Sequence, residues 1–207
     1  MQLIDNLSPG KKVTLLLAHG AGAPAQSEFM TQMKDLIGQY DIQVVRFNFP
    51  YMVEMISQNK RRPPNPIKQL VQSLSQLLDD LPETPLIIGG KSMGGRVATL
   101  CADHPNVLAT LALGYPFHPP GKPDKLRTEH LVTMTKPCCI IQGERDTFGS
   151  KDEVSQYPLS PSINVSWLSD GDHSFKPRKS SGATLEENMR LAAKLSAEFI
   201  NKQITQK

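Results

Sequence analysis

One stretch limits the folds open to this chain more than any other. From Leu86 to Arg96 an apolar run, Leu86-Ile87-Ile88-Gly89, breaks into Gly90-Lys91-Ser92-Met93-Gly94, and apolar residues then resume at helical spacing. The lead-in from Pro85 reads as a buried strand, and Val97, Ala98, Leu100, Cys101 and Ala102 read as the buried face of a helix. A chain that passes from strand to helix around one serine must turn so sharply that only small residues fit two positions before and after it. Gly90 and Gly94 meet that demand. The turn is a nucleophile elbow, which lifts the Ser92 hydroxyl to the end of a strand. A bare G-x-S-x-G pattern is weak, and its strand-turn-helix setting gives it content.

Around this turn, strand-like runs alternate with helical patterns, the arrangement of a mostly parallel sheet with helices on both faces. Strands are predicted at Val13–Ala18, Ile42–Phe47, Leu86–Gly89, Val107–Leu113, Cys138–Gln142 and Asn164–Leu168, giving six in all. Helices are predicted at Glu28–Ile37, Pro66–Leu78, Met93–Asp103 and Leu185–Asn201, with short pieces near Thr128–Met134 and Lys151–Tyr157. Ser27 and Thr184 are the expected helix caps. The stretches Pro50–Asn65 and Gly114–Lys136 read as irregular, and the second is expected to roof the site without forming a lid domain. At 207 residues, with 39% hydrophobic and 21% charged residues, the chain reads as one domain, 1–207, with a sizeable core.

Composition narrows the function classes. No apolar run approaches the ~20 residues that cross a bilayer, so no membrane partner is expected. Met1–Lys12 holds no apolar core of a secretory signal, which points to the cytoplasm. A net charge of +3 is too small to imply nucleic acid, and Lys60-Arg61-Arg62 reads as a solvated loop. Cys101, Cys138 and Cys139 read as buried thiols, the last two on opposite faces of a strand. The five histidines are scattered and no Cys-x-x-Cys occurs, so neither a metal nor a cofactor is expected.

A serine hydroxyl needs a base to take its proton, and the base works best when a carboxylate fixes its tautomer. Gly143-Glu144-Arg145-Asp146 follows one predicted strand, and Ser169-Asp170-Gly171-Asp172-His173 follows the last. Ser92, Asp146 and His173 thus stand in the order Ser, Asp, His, with separations of 54 and 27 residues, each long enough for the intervening elements. Glu144 and Asp172 are rival acids, with Asp146 preferred. His104 reads as a helix-end residue and His130 as exposed. The small-residue loop His19-Gly20-Ala21-Gly22-Ala23 offers backbone donors for a developing oxyanion. Ala21 N–H is expected to act with Met93 N–H, and His19 to hold the loop.

These segments, together with Gly114-Tyr115-Pro116-Phe117-His118-Pro119-Pro120-Gly121-Lys122-Pro123 and Gly143-Glu144-Arg145-Asp146-Thr147-Phe148-Gly149, carry a resemblance over nearly the whole chain. The sequence resembles the small α/β-hydrolase-like family that includes the third subunit of the chromatin nonspecific-lethal complex and a testis-expressed homologue. Compared with the full α/β-hydrolase pattern, the chain is expected to start at what would be the third strand, a trimmed fold with a minimal lid and a shallow pocket. Tyr51, Met52, Tyr115, Phe117 and Phe148 are expected as apolar walls, with His19, Gly22, Lys91 and His118 also near the pocket. The expected activity is hydrolysis of a small ester or thioester through an acyl-enzyme. The alternative is a hydrolase-fold interaction module that binds a protein partner or small ligand without significant turnover.

Overall fold

The computed structural model describes residues 1–7, 13–81 and 86–205; Lys11, Lys12 and Pro85 lie outside them. Its strands are β1 Gln2–Leu3, β2 Thr14–Ala18, β3 Gln43–Asn48, β4 Leu86–Lys91, β5 Val107–Leu113, β6 Cys138–Gly143 and β7 Ile163–Leu168. Its α-helices are α1 Glu28–Gly38, α2 Pro50–Gln58, α3 Ile67–Asp80, α4 Met93–Leu100, α5 Glu129–Val132, α6 Lys151–Val154 and α7 Leu185–Thr205.

Continuous hydrophobicity in the middle strands is the mark of a sheet covered on both sides. Leu15 and Leu17 point into one core layer, with α1 and α7, while Leu16 and Ala18 point into the other, with α2, α3 and α4. Cys138 and Cys139 likewise face opposite layers, and burial pushes both thiols up to about 12. The sheet order is β1-β3-β2-β4-β5-β6-β7, all parallel except β1, which pairs antiparallel with β3. Among the described residues the expected six strands are therefore seven. Gln2–Leu3 is too short and too exposed to give a hydrophobic pattern, and its place comes from pairing with Phe47 and Asn48.

Two further corrections concern the loops. Pro50–Gln58 is helical, with Pro50 at the first helical position, where a missing N–H costs nothing, and Asn59 ending the helix in the left-handed region. Thr184 does cap α7, exchanging hydrogen bonds with Glu187, whereas the Ser27 side chain makes no capping bond. No helix among the described residues is long and apolar enough to cross a membrane.

The chain leaves β2 for β3 on one side and returns to β4 on the other. A topological switch point thus opens at the carboxyl ends of β2 and β4, where open α/β sheets bind ligands.

Candidate active site

The elbow sits at that switch point. Ser92 has φ 51° and ψ −115°, a backbone state that L-residues adopt only under constraint. The constraint is close packing of backbone on backbone. A Cβ on Gly90 would lie 2.7 Å from Ala18 O, and one on Gly94 would lie 2.6 Å from both Ala18 O and His19 O. Ser92 N donates to Leu113 O at 3.0 Å, and Arg96 N donates to Ser92 O at 3.0 Å, which starts α4.

Two loops bring up the other groups. After β6, the chain turns at Gly143 and buries Asp146 completely before the Ser150–Glu153 capping box opens α6. After β7, Asp170 at φ 49° and Phe175 at φ 71° bracket the turn that presents His173. Asp172 Oδ1 accepts from Ser174 N and Lys176 N within that turn. His173 Nδ1 donates to Asp146 Oδ2 at 2.8 Å, and Ser92 Oγ donates to His173 Nε2 at 2.9 Å, with the tautomer fixed by the carboxylate. Asp146 also accepts from Phe148 N and Gln142 Nε2. Both rival acids are committed elsewhere. Glu144 pairs with Lys151 and accepts from Asp170 N, and Asp172 holds its own turn.

Burial lowers the His173 pKa from its ordinary 6.5, against the hydrogen bond to Asp146, and the Lys91 cation lowers it further. The imidazole is therefore neutral, able to accept a proton, at neutral pH. Lys91 turns inward, with Nζ donating to His173 O at 2.6 Å and lying over the Phe29 and Phe175 rings. Burial brings its pKa down to about 8.

Two clefts meet at Ser92 and share Ala21 and Phe148. One, of about 520 Å³, is walled by Phe29, Met30, Leu185 and Met189 and includes Gly22, Lys91 and His173. The other, of about 340 Å³, includes Met93, Arg96 and Arg127. Neither Ala21 N–H nor Met93 N–H has a backbone acceptor among the described residues.

A serine held at an elbow between β4 and α4, with an aspartate after β6 and a histidine after β7, agrees with the family comparison. The alpha/beta hydrolase domain family matches residues 11–201.

The chain belongs to that family.

No curated protein matches the sequence. Solved structures do match this α/β hydrolase domain in fold. Est1E from Butyrivibrio proteoclasticus is 13% identical, with a TM-score of 0.64 over 93% of this chain and 90% of its own. An α/β serine hydrolase without a lid from Xanthomonas campestris is 17% identical, with a TM-score of 0.65 over 92% of this chain and 84% of its own. An esterase from Pyrococcus furiosus is 16% identical, with a TM-score of 0.67 over 93% of this chain and 82% of its own.

Within the α/β hydrolase domain, several residues expected at the pocket lie elsewhere. Of the predicted wall, Phe148 lines both clefts and stacks on His173 with ring centroids 4.1 Å apart. Tyr51 and Tyr115 line neither cleft. The Tyr51 hydroxyl donates to Ala21 O, and that of Tyr115 donates to Arg127 O, so both rings are buried with their polar ends serving loop backbone. Met52 and Phe117 are core residues. His118 does not face the serine: it is buried with Nε2 3.5 Å from Glu153 Oε1. His19 also stays out of both clefts. It accepts from Phe49 N through Nε2 and donates from Nδ1 to Gly20 O, holding the loop that carries Ala21. His130 is half-buried against Thr99, and burial together with Arg96 lowers its pKa to about 4.

Sequence reasoning missed Gln142. Its buried amide donates to Asp146 Oδ2, Tyr115 O and Gly149 O and accepts from Tyr115 N, so one side chain ties the Asp146 loop to the loop after β5. A polar residue closing an apolar strand was the available signal. Arg96 and Arg127 were missed as well.

Proposed function

We propose that the protein is a serine hydrolase acting on esters or thioesters, with Ser92 as nucleophile, His173 as base and Asp146 as the group that orients it. The observation that carries the reading is the unbroken run of hydrogen bonds from Asp146 through His173 to Ser92, ending at the mouth of two clefts. Ser92 Oγ attacks the carbonyl carbon while His173 Nε2 takes its proton. Ala21 N–H and Met93 N–H stabilise the oxyanion of the tetrahedral intermediate. Its collapse breaks the bond to the alcohol or thiol, which leaves with the proton from His173. Water, deprotonated by His173, then attacks the acyl-enzyme, and the proton returns to Ser92 as the acid departs. In this reading the protein acts in the cytoplasm as a single domain, 1–207, on a small acyl substrate, with no cofactor. The narrower kinship with the chromatin-complex subunit and its testis-expressed homologue is part of the same proposal and rests on residues 114–123.

The test is turnover of p-nitrophenyl acetate and butyrate, with fluorophosphonate labelling in parallel. Wild type is expected to turn over and to label. Ser92→Ala should lose both, and His173→Ala should fall by about 10⁶-fold. A folded wild type that neither turns over nor labels would overturn the hydrolase reading in favour of the interaction module.

A further inference from the structure

Among the described residues, the smaller cleft carries two guanidiniums and no carboxylate on its wall. Arg96 and Arg127 both line it, beside Ser92 and Met93, and no aspartate or glutamate does. Among the described residues, ion pairs engage Arg46, Arg62, Arg145, Arg178 and Arg190, but neither of these two. Arg96 Nε and Asn65 Oδ1, both belonging to the cleft's wall, are buried without a hydrogen-bond partner. Burial, and then the Arg96 cation, lower the Arg127 pKa, so each guanidinium is less comfortable for the other's presence. His130 stays neutral, its pKa lowered to about 4 by burial and by Arg96, and bonds Thr99 instead.

Both arginines are held in place by backbone. Arg96 stands one helical turn beyond the nucleophile, on the same face of α4. Arg127 N donates to Phe117 O, and Arg127 O accepts from the Tyr115 hydroxyl. Two half-buried, uncompensated guanidiniums in one cleft cost free energy in the free protein, and a planar oxyanion satisfies both.

The clefts also differ in what they offer the reaction. His173 lines the larger one and must hand its proton to the leaving group, so the alcohol belongs there, against Phe29, Met30 and Met189. Met93, an oxyanion donor in the reading above, lines the smaller one, which leaves it to the acyl chain.

We propose that the preferred acyl group ends in a carboxylate held by Arg96 and Arg127, the substrate being a monoester of a dicarboxylic acid with an uncharged alcohol. This inference rests on the serine-hydrolase reading.

The experiment compares kcat/KM for monobenzyl glutarate and benzyl pentanoate, which share the alcohol and the acyl carbon count. The folded state of each variant is checked by thermal melting. Wild type is expected to favour the glutarate ester by about tenfold or more, a modest return for charge-assisted hydrogen bonds. In Arg127→Met and Arg96→Met the ratio should fall toward one, chiefly through KM. Arg127→Lys should restore part of it. A wild-type ratio of one or less, or a ratio unchanged in both methionine variants, overturns the proposal while leaving the hydrolase reading intact if benzyl pentanoate is cleaved. If neither ester is cleaved, p-nitrophenyl ester turnover and fluorophosphonate labelling decide the hydrolase reading, and calorimetric titration of glutarate decides the site separately. Binding that disappears in Arg127→Met upholds it, and absent binding in wild type overturns it.

Discussion

At His173, burial and the charges of Asp146, Lys91 and Asp172 decide over which pH range the imidazole can serve as the base of the proposed mechanism. Burial lowers its pKa, Asp146 opposes that, and the Lys91 cation adds to the lowering. Catalysis in the proposed mechanism needs the neutral ring, so activity is lost as pH falls through the His173 pKa, which lies below the ordinary 6.5. The acid limb of kcat/KM against pH should accordingly have its midpoint below 6.5, measured with a neutral ester. Lys91→Met removes a cation that favours the neutral ring, and its limb should move to higher pH; an unmoved limb would mean that Lys91 acts only through its bond to His173 O. Ser92, Asp146 and His173 were legible in the sequence because each follows a strand and the strands end at one edge. Gln142 was not, because the atoms it bonds belong to two loops that follow different strands, Tyr115 after β5 and Asp146 and Gly149 after β6. The same holds for Arg96 and Arg127, one on a helix and the other on the loop after β5.

The β4-turn-α4 unit is the element on which the site depends, and its tolerance is set by backbone contacts. Gly94→Ala puts a methyl group 2.6 Å from the carbonyl oxygens of Ala18 and His19, neither of which can rotate away. The expected cost is about 1–3 kcal/mol from overpacking, read as a lower denaturation midpoint, with fluorophosphonate labelling reduced because the Ala21 loop is displaced. A variant with wild-type stability and labelling would show that the elbow has slack. Strand positions in β2, β4, β5 and β6 were predictable to within a residue or two, since burial on both faces writes a continuous apolar run. Helix α2 was hidden by the surrounding prolines, although Pro50 itself is a start signal, and it is Tyr51 and Met52 packing into the core that make it a helix. Strand β1 carries too few residues to show any period.

Across the whole molecule, the first residues are tied to the sheet by one buried cation. Arg46 on β3 donates to Asp5 through Nε and Nη2, and through Nη1 to Ala25 O and Thr31 Oγ1, so it joins the β1 segment, the loop before α1 and α1 itself. Asp5→Ala leaves that guanidinium without its carboxylate and should cost on the order of 3 kcal/mol, measured by guanidinium denaturation. A loss below about 1 kcal/mol would place the pair with ordinary surface ion pairs. By itself the sequence determined the alternation of strands and helices, the two-sided core, the elbow and the order of serine, aspartate and histidine. Each is written in local periodicity or in steric rules that act over a few residues. Only the tertiary structure decided that Asp146 rather than Glu144 or Asp172 meets His173, that Tyr51, Tyr115 and His118 turn away, and that Arg96 and Arg127 share a cleft. Those outcomes depend on how loops distant in sequence pack at one sheet edge, where side-chain direction is set by neighbours that no local pattern names.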